Sequence, residues 1–269
     1  MRPHINISAA ALVFALSAST AQAGALRICS DPNNLPFSNR VGQGFENKIA
    51  ELIAHDLGDT VTYTFAAQHK NFVKRTLDAH KCDVVMGEPV GSDEVAETRP
   101  YYASTYVFVY RQGASRISSL TDPRLRKLRI GVHLIGGEDT PPELALGEEG
   151  IVDNVSGFMI YGDYAQPNPP ARLIEAVQHG AVDVAAVWGP FGGYFAKRSS
   201  GALQVAPITG TERFAPLLFR YAIAIGVRKD DVKLRDILDT EIARNGPQIR
   251  NILLKYGIPL IDLKANANG

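Results

Sequence analysis

Two short strings recur in this chain at nearly equal spacing, and they constrain its architecture more than any single motif does. Leu26-Arg27-Ile28 returns as Leu128-Arg129-Ile130, and Asp83-Val84 returns as Asp183-Val184. The interval between the strings is 57 positions in the first half and 55 in the second. Each Asp-Val strand runs into a Gly/Pro turn, Gly87-Glu88-Pro89 in one case and Trp188-Gly189-Pro190 in the other. A repeat of this kind points to two similar lobes rather than one continuous core.

The residues between the repeats say what each lobe is made of. Residues 26–29 form a short apolar run bounded by turn formers and read as a buried strand. Phe45, Ile49, Leu52, Ile53 and Leu57 recur at three- and four-residue steps, which predicts a helix over 45–58 that stops at Gly58. Strands follow at 61–65 and 83–86, with a helix at 71–80 between them. The second half repeats the scheme: strands at 128–132, 155–161 and 182–187, a proline-started helix at 141–146 and a helix at 171–179. Alternating strands and helices predict an α/β fold with two lobes, each a mostly parallel sheet flanked by helices. The extended runs at 101–111 and 220–228 read as strands, and their parts at 106–111 and 221–228 are expected to cross between the lobes as a hinge. Helices at 230–244 and 249–256 then close the chain. The expected division is 24–108 with 221–269 for the first lobe and 109–220 for the second.

Residues 1–23 read as a secretory signal peptide: a weakly basic start, an apolar run at 7–18, and Ala21-Gln22-Ala23 matching the small-x-small cleavage rule. Cleavage after Ala23 would deliver the chain to the periplasm. The apolar run is shorter than the ~20 residues a membrane span needs, and nothing later spans either. The full chain carries 28 basic and 28 acidic residues. Loss of Arg2 with the leader leaves a mature charge near −1, which does not suit a nucleic-acid binder. A monomer or weak dimer is expected. The two cysteines, Cys29 and Cys82, are expected to pair in an exported chain. If their strands were parallel neighbours in simple register, however, the α-carbons could exceed the ~7 Å a bridge tolerates.

Open parallel sheets place ligands at strand ends. Asp31, Asn33, Asn34 and Phe37, in the turn-rich loop after the first strand, therefore form the first wall of an expected cleft. Glu88, Tyr101, Tyr102, Asp163, Trp188 and Tyr194 complete the set of candidate partner-binding residues. Glu138, Asp139 and Tyr164 add to an aromatic, mildly acidic inventory. No nucleophile elbow, zinc-protease helix or phosphate loop is present, so a binding protein without catalytic residues, metal or cofactor is expected. His55, His69, His80, His133 and His179 are scattered and read as surface or capping residues.

Together these features resemble the type II periplasmic solute-binding proteins, the family that includes amino-acid receptors of ABC transporters. The matching stretches are Asp31-Pro32-Asn33, Gly44-Phe45-Glu46, Cys82-Asp83-Val84-Val85 and Pro100-Tyr101-Tyr102. A narrower set resembles the J proteins of methanol-oxidation gene clusters, of the Mxa and Xox types. That set comprises residues 31–39, Thr98-Arg99-Pro100-Tyr101-Tyr102, residues 104–109, and Val187-Trp188-Gly189-Pro190 with Gly193-Tyr194-Phe195-Ala196. The resemblance implies an accessory role toward a PQQ-dependent methanol dehydrogenase, and leaves the lanthanide and calcium types open. It also exposes a departure. Amino-acid receptors hold the α-carboxylate with an arginine about nine residues before the Pro-Tyr-Tyr, where this chain has Gly91. They meet the α-ammonium with an aspartate where this chain has Trp188. A buried zwitterion would lack both charge partners. The expectation is a factor that matures or activates the dehydrogenase. A binding protein of an ABC importer for a small solute other than an amino acid is the alternative, and a metal chaperone a third reading.

Overall fold

The computed structural model describes residues 24–136, 139–160 and 167–263. The expected signal peptide, Glu138, Asp163 and Tyr164 lie outside the described residues. The first half of the chain builds β1 (Ala25–Ser30), β2 (Asn33–Asn34), β3 (Ser38–Asn39), α1 (Phe45–Leu57), β4 (Thr60–Phe65), α2 (Phe72–Arg75), β5 (Val84–Pro89), β6 (Ala96–Glu97) and β7 (Tyr102–Arg111). The rest builds β8 (Ile130–Leu134), α3 (Pro141–Glu148), β9 (Val155–Met159), α4 (Ala171–Gln178), β10 (Val184–Trp188), α5 (Gly189–Arg198), β11 (Leu203–Pro207), β12 (Arg220–Val227), α6 (Val232–Arg244) and α7 (Gly246–Tyr256).

The main sheet runs β4-β1-β5-β12-β7-β10-β8-β9. Each end is a parallel trio: β1 lies between β4 and β5, and β8 between β10 and β9. The middle is antiparallel, because β7 and β12 join the trios. Tyr102 to Thr105 of β7 pair with β12, and from Tyr106 onward the same strand pairs with β10 and β11. Beside that switch the backbone N–H of Tyr106 donates to the Phe219 carbonyl at 3.0 Å, so the returning chain crosses at the same level. The fold is a two-lobed, type II periplasmic-binding-protein architecture with a mixed sheet. Each lobe has its own core, one around Phe45, Ile49, Ile53 and Ile225, the other around Phe108, Leu125, Ile130 and Leu146.

The recurring strings prove to be one structural device used twice. Arg27 grips Asp83 with Nε and Nη2, both at 2.6 Å. Arg129 grips Asp183 in the same way, at 3.0 and 2.7 Å. A second arginine then closes each pair from the end of a central strand. Arg228, just past β12, donates to Asp83 at 2.8 Å and to the Cys82 carbonyl at 2.7 Å. Arg111, the last residue of β7, donates to Asp183 at 3.3 Å and to the Val182 carbonyl at 3.0 Å. Bidentate arginine suits this planar clamp.

Three local expectations change. The helix expected over 71–80 is a single turn, α2. The Thr76 hydroxyl donates to the Phe72 carbonyl at 2.7 Å, and His80 adopts a left-handed φ of 54°, so the chain coils into turns instead of continuing. The Gly189-Pro190 turn is instead the start of α5, where proline's missing N–H is an orphan in any case. Strand β11 was not anticipated. The cysteines are bonded, with α-carbons 5.5 Å apart. Cys82 precedes β5 and is free of its register, which removes the geometric objection.

Candidate functional site

A cavity of about 320 Å³ lies between the lobes. Its first-lobe wall begins with the loop after β1. There the Asp31 carboxylate accepts from the backbone N–H of Asn33 at 2.8 Å and of Gln68 at 2.9 Å, while the Ser38 hydroxyl donates to the Asp31 carbonyl. Fully buried, Asp31 shapes the loop rather than facing the cavity. The loop then folds into the β2–β3 ribbon and delivers Asn34 and Phe37 to the lining. Gly44 allows this close return: a Cβ there would stand 1.8 Å from the Phe37 carbonyl oxygen. The next residues start α1 and place Glu46 in the wall beside Gly87. A Cβ on Gly87, whose φ is +79°, would come within 2.4 Å of a Glu46 carboxyl oxygen.

The floor is the hinge. Trp188 packs edge-on against Tyr106 of β7 at 5.3 Å and Tyr221 of β12 at 5.6 Å, and all three line the cavity. The second-lobe wall includes His133, Asp139, Thr140 and Phe191. Phe191 meets Phe37 across the cleft with ring centroids 5.0 Å apart. The lobes also touch where Asn33 Oδ1 accepts from the backbone N–H of Asn168 at 3.0 Å.

The electrostatics are one-sided. Among the described residues the lining holds Glu46 and Asp139 and no arginine or lysine. Burial, with the charge of nearby Glu88 adding to it, pushes the Glu46 carboxyl up to about 8. Burial, with Glu94 and Glu97, pushes Glu88 up to about 7. Burial pulls His133 down to about 4, so its ring is neutral at pH 7. His133 Nε2 lies 3.2 Å from the Pro170 carbonyl, which accepts and so assigns the proton to Nε2. His133 Nδ1, Asn34 Oδ1 and Thr140 Oγ1 are buried without a hydrogen-bond partner.

Of the residues singled out in the sequence, Asn34, Phe37, Trp188 and Asp139 share this lining. Glu88 lies between two lining residues, Gly87 and Pro89, and acts through its charge. Asn33 bridges the lobes. Tyr101 and Tyr102 are buried and line a separate cavity toward Leu253 and Leu260. Tyr194 stacks on Tyr256 at 5.8 Å, beneath the Arg198 guanidinium. Glu46, Thr140 and Tyr221 were not among the cleft candidates, and His133, read from the sequence as a surface or capping residue, is instead buried within β8 and lines the cavity. A signal existed for Glu46, which shares the buried helix face of Ala50 and Ile53 at steps of four and seven residues. Arg99, just before Tyr101 and Tyr102, is engaged by Asp239: its backbone N–H donates to that carboxylate at 2.6 Å and its Nε stands 3.9 Å away.

The family model for bacterial extracellular solute-binding proteins, family 3, matches residues 26–257. The chain belongs to this family. Within family 3 it is a protein of the MxaJ/XoxJ type. It is 30% identical to Protein MoxJ of Methylorubrum extorquens over 92% of this chain and 85% of that protein. It is 27% identical to Protein MoxJ of Paracoccus denitrificans, over 94% and 95% of the two chains. The crystal structure of the periplasmic binding protein XoxJ from Methylobacterium extorquens AM1 superimposes with a TM-score of 0.72 at 33% identity, covering 88% of this chain and 99% of that one. Family 3 membership accounts for the two lobes and the central cleft. What the cleft accepts depends on its lining.

Proposed function

We propose that this chain is a periplasmic binding protein of methanol oxidation that assists maturation or activation of a PQQ-dependent methanol dehydrogenase, of lanthanide or calcium type. Its likeness to MoxJ and XoxJ proteins along nearly its whole length supports the connection. The observation that carries the departure from amino-acid transport is the cavity lining, in which Trp188 occupies the hinge end of β10 and no described arginine reaches the cleft. A free amino acid would bury its carboxylate there unpaired. The anionic PQQ cofactor meets the same objection, so the cleft's partner is a segment of the dehydrogenase rather than the cofactor. Apolar and aromatic walls with a few polar groups suit such a segment. The interlobe cleft grips it by closing about β7 and β12, and no catalytic step is required of the binding protein.

The test mixes purified mature protein with apo-dehydrogenase under matched metal and PQQ. Co-elution and a rise in dye-linked methanol oxidation are expected. Absence of both contact and activation would overturn the reading. The modest cavity also suits a small solute, as in an importer. Flanking permease and ATPase genes would favour that reading.

A further inference from the structure

We infer that the interlobe cavity is a site for an organic ammonium group, with Glu46 as its counter-charge, Asn34, His133 and Thr140 as hydrogen-bond acceptors, and Trp188 as an aromatic wall. The inference rests on the cleft being the binding site and not on the dehydrogenase being the partner. The first support is a mismatch of polarity. Three residues of the lining each carry a buried polar atom without a hydrogen-bond partner: Asn34 Oδ1, His133 Nδ1 and Thr140 Oγ1. Asn34, His133 and Thr140 are each 2–3% exposed. The first two can only accept, since the His133 proton sits on Nε2 toward Pro170, and the threonine oxygen can accept as well. A ligand that satisfies all three must donate several hydrogen bonds, and an ammonium has three donors and no acceptor.

The second support is charge. Glu46 is 5% exposed and has no cation among the described residues of the lining. A buried carboxyl of this kind is stabilised by a cation that arrives with the ligand. The aromatic cluster of Trp188, Tyr106 and Tyr221 at the floor offers ring faces and edges to the alkyl part, and cation–π attraction to the head. A metal ion is a poorer fit: among the described residues no group of three or more His, Cys, Asp or Glu side chains is arranged to hold one. A zwitterion is excluded by the lack of a carboxylate clamp. What remains is an ammonium carried either by a free alkylamine or by a lysine side chain of a protein segment.

Binding then displaces a proton. Glu46, pushed up to about 8, is largely protonated at neutral pH. The groups that feel its charge are Tyr63 on β4, Tyr101 just before β7 and Tyr102 at its start, with Glu88 on β5 raising it further. All are neutral or anionic, so none replaces the missing cation. When the ammonium enters, the carboxyl ionises, its proton leaves to solvent, and the ion pair forms in its place.

Titration calorimetry on the mature protein at pH 7 tests this with four probes: n-butylammonium chloride, 1-butanol, sodium butyrate and a capped Gly-Lys-Gly peptide. At least one ammonium probe is expected to bind, with 1-butanol and butyrate at least about tenfold weaker. Its heat should vary with the ionisation enthalpy of the buffer, as proton release requires. Glu46→Gln should weaken it about tenfold or more and abolish the buffer dependence, and Trp188→Leu should weaken it severalfold. Butylammonium binding assigns a free amine, and binding of the peptide alone assigns a lysine-bearing segment. The idea is overturned if neither ammonium probe binds, if 1-butanol binds as tightly, or if the Glu46→Gln protein keeps full affinity. None of these outcomes depends on the dehydrogenase, so a failure here leaves the accessory role standing.

Discussion

Glu46 stands in the first turn of α1, where the helix dipole favours a negative charge. It is also buried, and desolvation outweighs the dipole. Its carboxyl titrates near 8 when folded, against an ordinary 4.5 in the unfolded chain. The folded state therefore holds the Glu46 proton longer than the unfolded state does. Stability from this group is full below about pH 4.5, falls as pH rises between the two values, and levels off above about 8. The loss over that window is of order 4–5 kcal/mol. Glu46→Gln removes it. Urea denaturation should find variant and parent matched at pH 4, with the variant more stable by several kcal/mol at pH 9. Equal stability of the two proteins at pH 9 would mean that the carboxyl is not held neutral by burial. His133 makes a complementary point. It reads as one of several scattered histidines in the sequence, because nothing local marks a strand residue that turns toward a cleft. Its partners, Phe191 at 4.9 Å and the Pro170 carbonyl, come from other parts of the chain.

The duplicated Arg–Asp–Arg clamps fasten each central strand to the parallel trio beside it. Both aspartates lie below the usual carboxylate range. Burial works to raise Asp83, but the hydrogen bonds and charges of Arg27 and Arg228 together outweigh it. For Asp183 the Arg129 hydrogen bond leads. The two clamps differ in burial. Arg228 is 13% exposed, whereas Arg111 is 37% exposed and better screened. Asp83→Asn should therefore cost about 2–3 kcal/mol, and Asp183→Asn about 1–2 kcal/mol. Chemical denaturation of the two variants checks the order, and a larger loss for Asp183→Asn would show that burial is not what separates them. These clamps explain why the two-lobed architecture was legible. Arg27, Asp83, Arg129 and Asp183 are the recurring letters themselves, and the interval between them measures one strand–helix–strand–helix–strand unit. Legibility failed where an element depends on packing rather than on pattern. The segment from Gly189 to Arg198 has three glycines and a proline, yet it is helical because it seats on β7 and β10. No periodicity announces that, and tertiary contact overrides a weak local propensity.

At the scale of the molecule, among the described residues a hydrogen bond and an aromatic pair join the lobes at the cavity's edge. The bond runs from the Asn168 N–H to Asn33 Oδ1, and the pair is Phe37 with Phe191. Neither contact belongs to the β7–β12 hinge, so both act at a distance from the axis about which the lobes would turn. They bias the molecule toward its closed form without fixing it there. A single hydrogen bond contributes about 1 kcal/mol net, roughly a fivefold shift between closed and open populations. Asn33→Ala removes the acceptor while leaving Asp31, which shapes the loop, in place. The variant should populate a more open form, visible in solution scattering as a larger radius of gyration than the parent. It should also release a cleft ligand several times faster, because closure is what retains it. If the Asn33→Ala protein scatters like the parent, the closed arrangement is held by the aromatic pair, and Phe191→Ala should then open it. If neither variant expands, the closed geometry is set away from the cavity's edge, by the hinge strands and by α5 against α7, where Lys197 Nζ donates to the Leu254 and Lys255 carbonyls at 3.0 and 2.9 Å.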